Sequence, residues 1–84
     1  MTSEQIGNAI QKQHRPIFEI WFKGRASVKG LFIKGKDYNE LKLKNFWRIV
    51  DERRIAEYDK TGDQQLARVF FGDGFIKLAI PAND

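Results

Sequence analysis

The sequence predicts a mainly β fold, a short N-terminal helix followed by a five- or six-stranded small barrel. Three observations carry that expectation. Apolar residues keep helical spacing only before Pro16; from Ile17 onward they alternate with polar ones at period two. Clusters of Gly, Asp, Asn and Lys interrupt the alternation at short intervals, as turns between short strands do. Gly30 falls inside one strand, where a residue without a side chain marks the sharp bend a small barrel needs to close.

The helix is expected over 3–13. Ile6, Ala9, Ile10 and Gln13 share one face, and Thr2 with Gln5 has the spacing of a capping box. Gly7 weakens the helix. Pro16 ends it, because the residue before a proline avoids helical geometry. The barrel is expected over 17–80. In the first strand Phe18, Ile20 and Phe22 point one way, and Glu19, Trp21 and Lys23 the other. Lys23-Gly24-Arg25 is a turn, and Ala26 to Lys34 is a second strand with Val28, Gly30 and Phe32 on one face. A turn at 35–39 leads into a third strand. There Leu41, Leu43, Trp47 and Ile49 alternate with Lys42, Lys44, Phe46 and Arg48, and Asn45 interrupts the apolar side. Asp51 to Arg54 reads as a charged turn and Ile55 to Tyr58 as a short strand; a helix through Phe46–Tyr58 is the competing reading. After a turn at 60–63, Leu66–Phe71 and Phe75–Ile80 flank Gly72-Asp73-Gly74, the signature of a hairpin. The tail 81–84 is expected to fray.

Composition bounds the function. Eighty-four residues suffice for one domain. Seven Phe, two Trp and two Tyr supply the large buried areas that a small core needs. Without Cys there is neither a disulfide framework nor a thiolate metal site, which fits a reducing cytoplasm. The N-terminus lacks the pattern of a signal peptide, and no apolar run reaches the length of a membrane span. No Ser/His/Asp set, metal cluster or Gly-Lys-Ser/Thr loop stands out, so no enzyme and no cofactor is expected. The single histidine, His14, sits beside Arg15 near a helix end, an exposed position poorly suited to a general base. Charge is uneven. Ten Lys/Arg against three acids lie between Lys12 and Arg48, while acids outnumber bases beyond it. The basic part would attract polyanions, or serve only as a solvated surface.

The order of elements suits an Sm-like or SH3-like barrel, in which closure removes exposed sheet edges. The run Ile17-Phe-Glu-Ile-Trp-Phe-Lys-Gly-Arg25, then Gly30-Leu31, then Asp37-Tyr-Asn39 with Leu41, resembles the first motif of the Sm/LSm family. Val69-Phe-Phe-Gly-Asp-Gly-Phe-Ile-Lys-Leu-Ala-Ile80 resembles the second, with Phe71 where that motif carries Arg. The resemblance implies an oligomeric ring that binds single-stranded RNA through its two turn regions. It also implies that Asn39 hydrogen-bonds a base and that Tyr38 stacks on one.

The residues themselves point to the same ligand. Lys42, Lys44, Phe46 and Arg48 on the outer face of the third strand would combine phosphate contacts with a stacking ring. Trp21 with Lys23, and Phe75 with Lys77, repeat the combination. The turns Lys23-Gly24-Arg25 and Lys34-Gly35-Lys36 set cations beside exposed backbone N–H groups, where phosphates bind. Burial of the rings and solvation of the lysines would explain the same residues. The expected partner is therefore single-stranded RNA, or DNA, bound by a homo-oligomer away from membranes. A protein-interaction module is the alternative, since so many rings exceed what one small core hides. Duplex DNA binding by a basic β-ribbon is a third reading.

Overall fold

Thr2 starts the first helix as its spacing to Gln5 requires. In a computed structural model that describes residues 1–81, the Thr2 hydroxyl accepts the Gln5 N–H at 3.2 Å and the Gln5 side chain accepts the Thr2 N–H at 3.0 Å. Helix α1 (Ser3–Gln11) buries Ile6 and Ile10. It stops short of the expected 3–13: Lys12 caps it, and Gln13 is exposed, leaving the apolar face. The tail expected to fray, 81–84, lies outside the described residues except for Pro81.

Five antiparallel strands follow: β1 (Ile17–Phe22), β2 (Arg25–Ile33), β3 (Phe46–Asp51), β4 (Ala67–Phe71) and β5 (Phe75–Ala79). Their order across the sheet is β4-β3-β2-β1-β5. The fold is mainly β, with an N-terminal helix and five strands, as the alternation predicts. The sheet is not closed into a barrel, however. Among the described residues β4 pairs only with β3, β5 only with β1, and the two stand at opposite ends of the strand order. The expected hairpin at Gly72-Asp73-Gly74 is thereby corrected. These residues form a 3₁₀ turn that carries the chain from one edge of the sheet to the other. The turn is held from outside: the Gly72 N–H donates to the Asn45 carbonyl at 2.7 Å, and Asn45 Nδ2 donates to Asp73 Oδ1 at 2.9 Å.

The third strand is also corrected. Tyr38–Leu43 is a short helix, α2, and β3 begins only at Phe46. Asn45 separates them with φ 62°, the left-handed conformation in which helices commonly end. Lys42 and Lys44 therefore do not share a strand with Phe46 and Arg48. The charged turn is a 3₁₀ segment, Glu52–Arg54, and it continues into helix α3 (Ile55–Thr61) rather than a sixth strand. The helical alternative thus holds for Ile55–Tyr58 and fails for Phe46–Asp51.

The sheet is apolar on both faces. On one, Phe18, Ile20, Phe32, Trp47, Ile49 and Phe75 pack beneath Ile6 and Ile10 of α1. Gly30 lies on this face, where a Cβ would meet the Val50 carbonyl oxygen at 2.8 Å; its absence lets β2 press against β3. On the other face Leu31, Ile33 and Val50 pack against Ile17, Ala67 and, from α3, Ile55 and Tyr58. Arg15 fastens α3 by donating to both carboxylate oxygens of Asp59, at 2.9 and 2.7 Å.

Asp51 caps the 3₁₀ turn. It accepts the Arg53 backbone N–H and guanidinium, each at 3.0 Å, and the backbone bond above all holds its carboxyl below the ordinary value. A carboxyl lowered on folding adds stability that is complete above its unfolded pKa, about 3.9, and is lost as pH falls through the folded one. Urea midpoints of the parent should fall between pH 5 and pH 2.5, and those of Asp51→Asn should fall less steeply. Identical slopes would show that this cap contributes nothing.

Candidate nucleic-acid interface

Two features bring α2 against α1. The Ser3 hydroxyl donates to the Lys42 carbonyl, tying the start of one helix to the end of the other. Gly7 removes the obstacle between them, since a Cβ there would meet Lys42 Cε at 2.9 Å. The glycine that weakens α1 as a helix is what lets the Lys42 stem lie across it. Tyr38, at the start of α2, sets its ring edge-on to Trp47 with centroids 6.0 Å apart. Lys34 leaves the end of β2 and places its ammonium 5.3 Å from the Tyr38 ring centre.

Between these elements runs a groove of three adjoining depressions. The first, about 480 Å³, is lined by Ser3, Glu4, Asn8, Asn39, Lys42 and Leu43. The second, about 170 Å³, shares Lys42 and adds Gly7, Gln11, Lys34 and Tyr38. The third, about 300 Å³, shares Gln11 and Lys34 and lies over Ile10, Pro16 and Phe32, with Gln13 and His14 at its rim. The shared residues make the depressions one path along the side of α1.

Charge along the path is unbalanced. Ion pairs among the described residues are Arg15–Asp59, Arg48–Asp37 and Arg53–Asp51. Lys34 and Lys42 take part in none of them, and among the described residues Glu4 is the one acid lining the groove. Asp37, next to Tyr38, is already matched. Arg48 donates to it at 2.7 and 3.3 Å, and this bonding holds the carboxyl below its ordinary value. Burial pushes the Tyr38 phenol up, so it stays a neutral donor at neutral pH.

No family model, curated protein or solved structure matches this chain. The site therefore stands on its own geometry.

Of the residues singled out from sequence, Lys34, Tyr38, Asn39 and Lys42 come together in the groove. Lys36 and Lys44 are exposed on the same connection between β2 and β3. The others go elsewhere. Lys23 and Arg25 lie at the far end of the β1–β2 hairpin, where Arg25 covers the Phe22 ring at 4.5 Å. Arg48 is neutralised by Asp37. Phe46 is half-buried and stacks at 5.0 Å on Phe71 of the edge strand. Phe75 is buried in the core and cannot act as an exposed ring. Lys77 instead lies across the strands from Trp21, its ammonium 5.0 Å from that ring. Sequence reasoning missed Asn8 and Gln11 and gave Gln13 to the core. Their signal was the amide-rich polar side of α1, which has no chemical meaning until a second wall faces it.

Proposed function

We propose that the protein binds single-stranded RNA along the groove between α1 and α2. The observation that supports this most is the pairing of two lysines, Lys34 and Lys42, unmatched by carboxylates among the described residues, with Tyr38 and a row of side-chain amides. The lysines would take phosphates with release of counterions, and the amides would read exposed base edges. The sequence resemblance of Asp37-Tyr38-Asn39 to the Sm/LSm first motif falls on the same segment, although here Tyr38 and Asn39 open α2 rather than close a turn. The test is fluorescence anisotropy with labelled A-rich RNA, U-rich RNA, matched single-stranded DNA and a duplex, each at two salt concentrations. The expected result is salt-sensitive binding to single strands, tighter for RNA. Absence of binding to all four at low salt would overturn the reading.

Self-assembly is the second part of the proposal, and a separate observation favours it. Among the described residues β4 and β5 each leave one edge unpaired; neither strand contains proline, and each carries a single cation, Arg68 or Lys77. Val69 and Phe71 on β4, and Ile76 on β5 with Ile80 just beyond it, are each about half exposed. Pairing of one copy's β4 with the next copy's β5 would satisfy both edges and cover these side chains. Light scattering should report a particle several times the 9.8 kDa chain mass, and Phe71→Glu should reduce it to a monomer. A parent protein that is already monomeric at tens of micromolar would sink the assembly while leaving the groove untouched.

A further inference from the structure

Among the depressions of the groove, the one at the C-terminal end of α1 has a distinct construction. Its floor is apolar, formed by Ile10, Pro16 and Phe32, and its rim is polar, formed by Gln11, Gln13, His14 and Lys34. None of the four rim side chains makes a hydrogen bond to another described residue. All four are exposed, so a ligand would compete only with solvent for them. Its volume, about 300 Å³, lies at the small end of the range for small-molecule sites, about 300–1,000 Å³.

The chemistry of the rim narrows the occupant. Each glutamine amide offers a donor and an acceptor side by side, the arrangement that a nucleobase edge complements. Pro16 and His14 offer flat surfaces, and Phe32 and Ile10 close the floor with apolar edges. Lys34 belongs both to this depression and to the next, so an anion held there would join an occupant of one to a chain lying in the other. A flat heteroaromatic ring attached to a phosphate meets all three conditions. The depression at the opposite end fits less well, since its lining includes the carboxylate of Glu4 and the nearly fully exposed Leu43.

We infer that this depression is a base pocket: it receives one extruded base of the bound strand, with Gln11 and Gln13 at the base edge and the adjoining phosphate on Lys34. The inference rests on the RNA-binding reading and adds the element that selects the ligand. Lys34 and Lys42 set affinity without regard to sequence, whereas Gln11 and Gln13 set the preference among bases. Duplexes are excluded because their bases are not free to enter.

The experiment compares the parent with Gln11→Ala/Gln13→Ala. Both positions are exposed, so folding should be retained, and a thermal melt checks it. Each protein is titrated by anisotropy with labelled oligo(A), oligo(U) and oligo(C) of one length at three salt concentrations. The parent should separate its best and worst ligands by about fivefold or more, the least that one bidentate base contact supplies. The double variant should bring that spread under about twofold while keeping the parent's salt dependence, since no phosphate contact is removed. A parent that binds all three equally, or a variant that keeps the parent's ranking, would overturn the pocket and leave RNA binding standing. A parent that binds none would remove both, and the low-salt titration separates that result from the others.

Discussion

Replacing Asn45 with Ala should destabilise the protein by about 3 kcal/mol, a large part of what a domain of this size possesses. Asn45 is buried, and its side chain joins three parts of the chain. Oδ1 accepts the Trp47 indole N–H at 2.8 Å, and Nδ2 donates to the Met1 carbonyl and to Asp73 Oδ1, both at 2.9 Å. Alanine would leave the buried indole N–H without an acceptor, which costs about 1–3 kcal/mol. It would also have to hold φ at 62°, where an L-residue with no polar side chain loses about 1 kcal/mol or more. The melting temperature should drop by roughly 12–24 °C. Asn45→Gly separates the two terms: it accepts the backbone conformation but not the hydrogen bonds, so its loss should fall about 1 kcal/mol short of the alanine loss. Urea unfolding followed by tryptophan fluorescence measures both variants. A loss under about 1 kcal/mol in Asn45→Ala would mean that Trp47 finds another acceptor and that the hub does not hold the fold.

The same residue shows why part of the fold was hidden in the sequence. The capping box at Thr2 and Gln5 and the alternation in β1 and β2 depend on residues close together in the chain, and pattern reading finds them. Residues 38–49 are different. Leu41 and Leu43 between Lys42 and Lys44 satisfy a strand, while Tyr38, Leu41 and Lys42 satisfy a helix. The choice is made by Asn45, whose left-handed backbone is fixed by partners 28 and 44 residues away in sequence, Asp73 and Met1. Gly72-Asp73-Gly74 misled for a related reason. Its residues suit a hairpin, but Asn45 captures the turn, and the two strands beside it are pulled to opposite ends of the sheet. The groove was half legible. Lys34, Tyr38, Asn39 and Lys42 stood out by type, but Tyr38 and Asn39 were expected in a turn and Lys42 on a strand, where the chain forms the helix α2. The amides of α1 gained a role only when Gly7 allowed Lys42 to lie alongside.

Charge reversal at the groove should abolish most RNA binding. In Lys34→Glu/Lys42→Glu two phosphate contacts are lost, and each is a charge-assisted bond worth about 1.5 kcal/mol or more. The affinity at 0.1 M salt should fall by about 100-fold. For single strands each phosphate contact contributes about 0.7 to the slope of log affinity against log salt, so the slope should shrink by about 1.4. Loss of affinity alone would not locate the site, because any reduction of net charge weakens attraction to a polyanion. Lys23→Glu/Arg25→Glu provides the comparison. It changes the formal charge from +4 to zero as the groove variant does, but at the opposite end of the β1–β2 hairpin. Six residues of extended β1 separate the two regions, about 20 Å. That is about twice the screening length at 0.1 M salt. The comparison variant should therefore lose only a fewfold in affinity at that salt and keep most of the parent's slope. Equal losses in both variants would show that RNA is attracted by overall charge and has no seat between α1 and α2. A tenfold or greater separation between them would place the phosphates on Lys34 and Lys42, with Tyr38 as the next residue to replace.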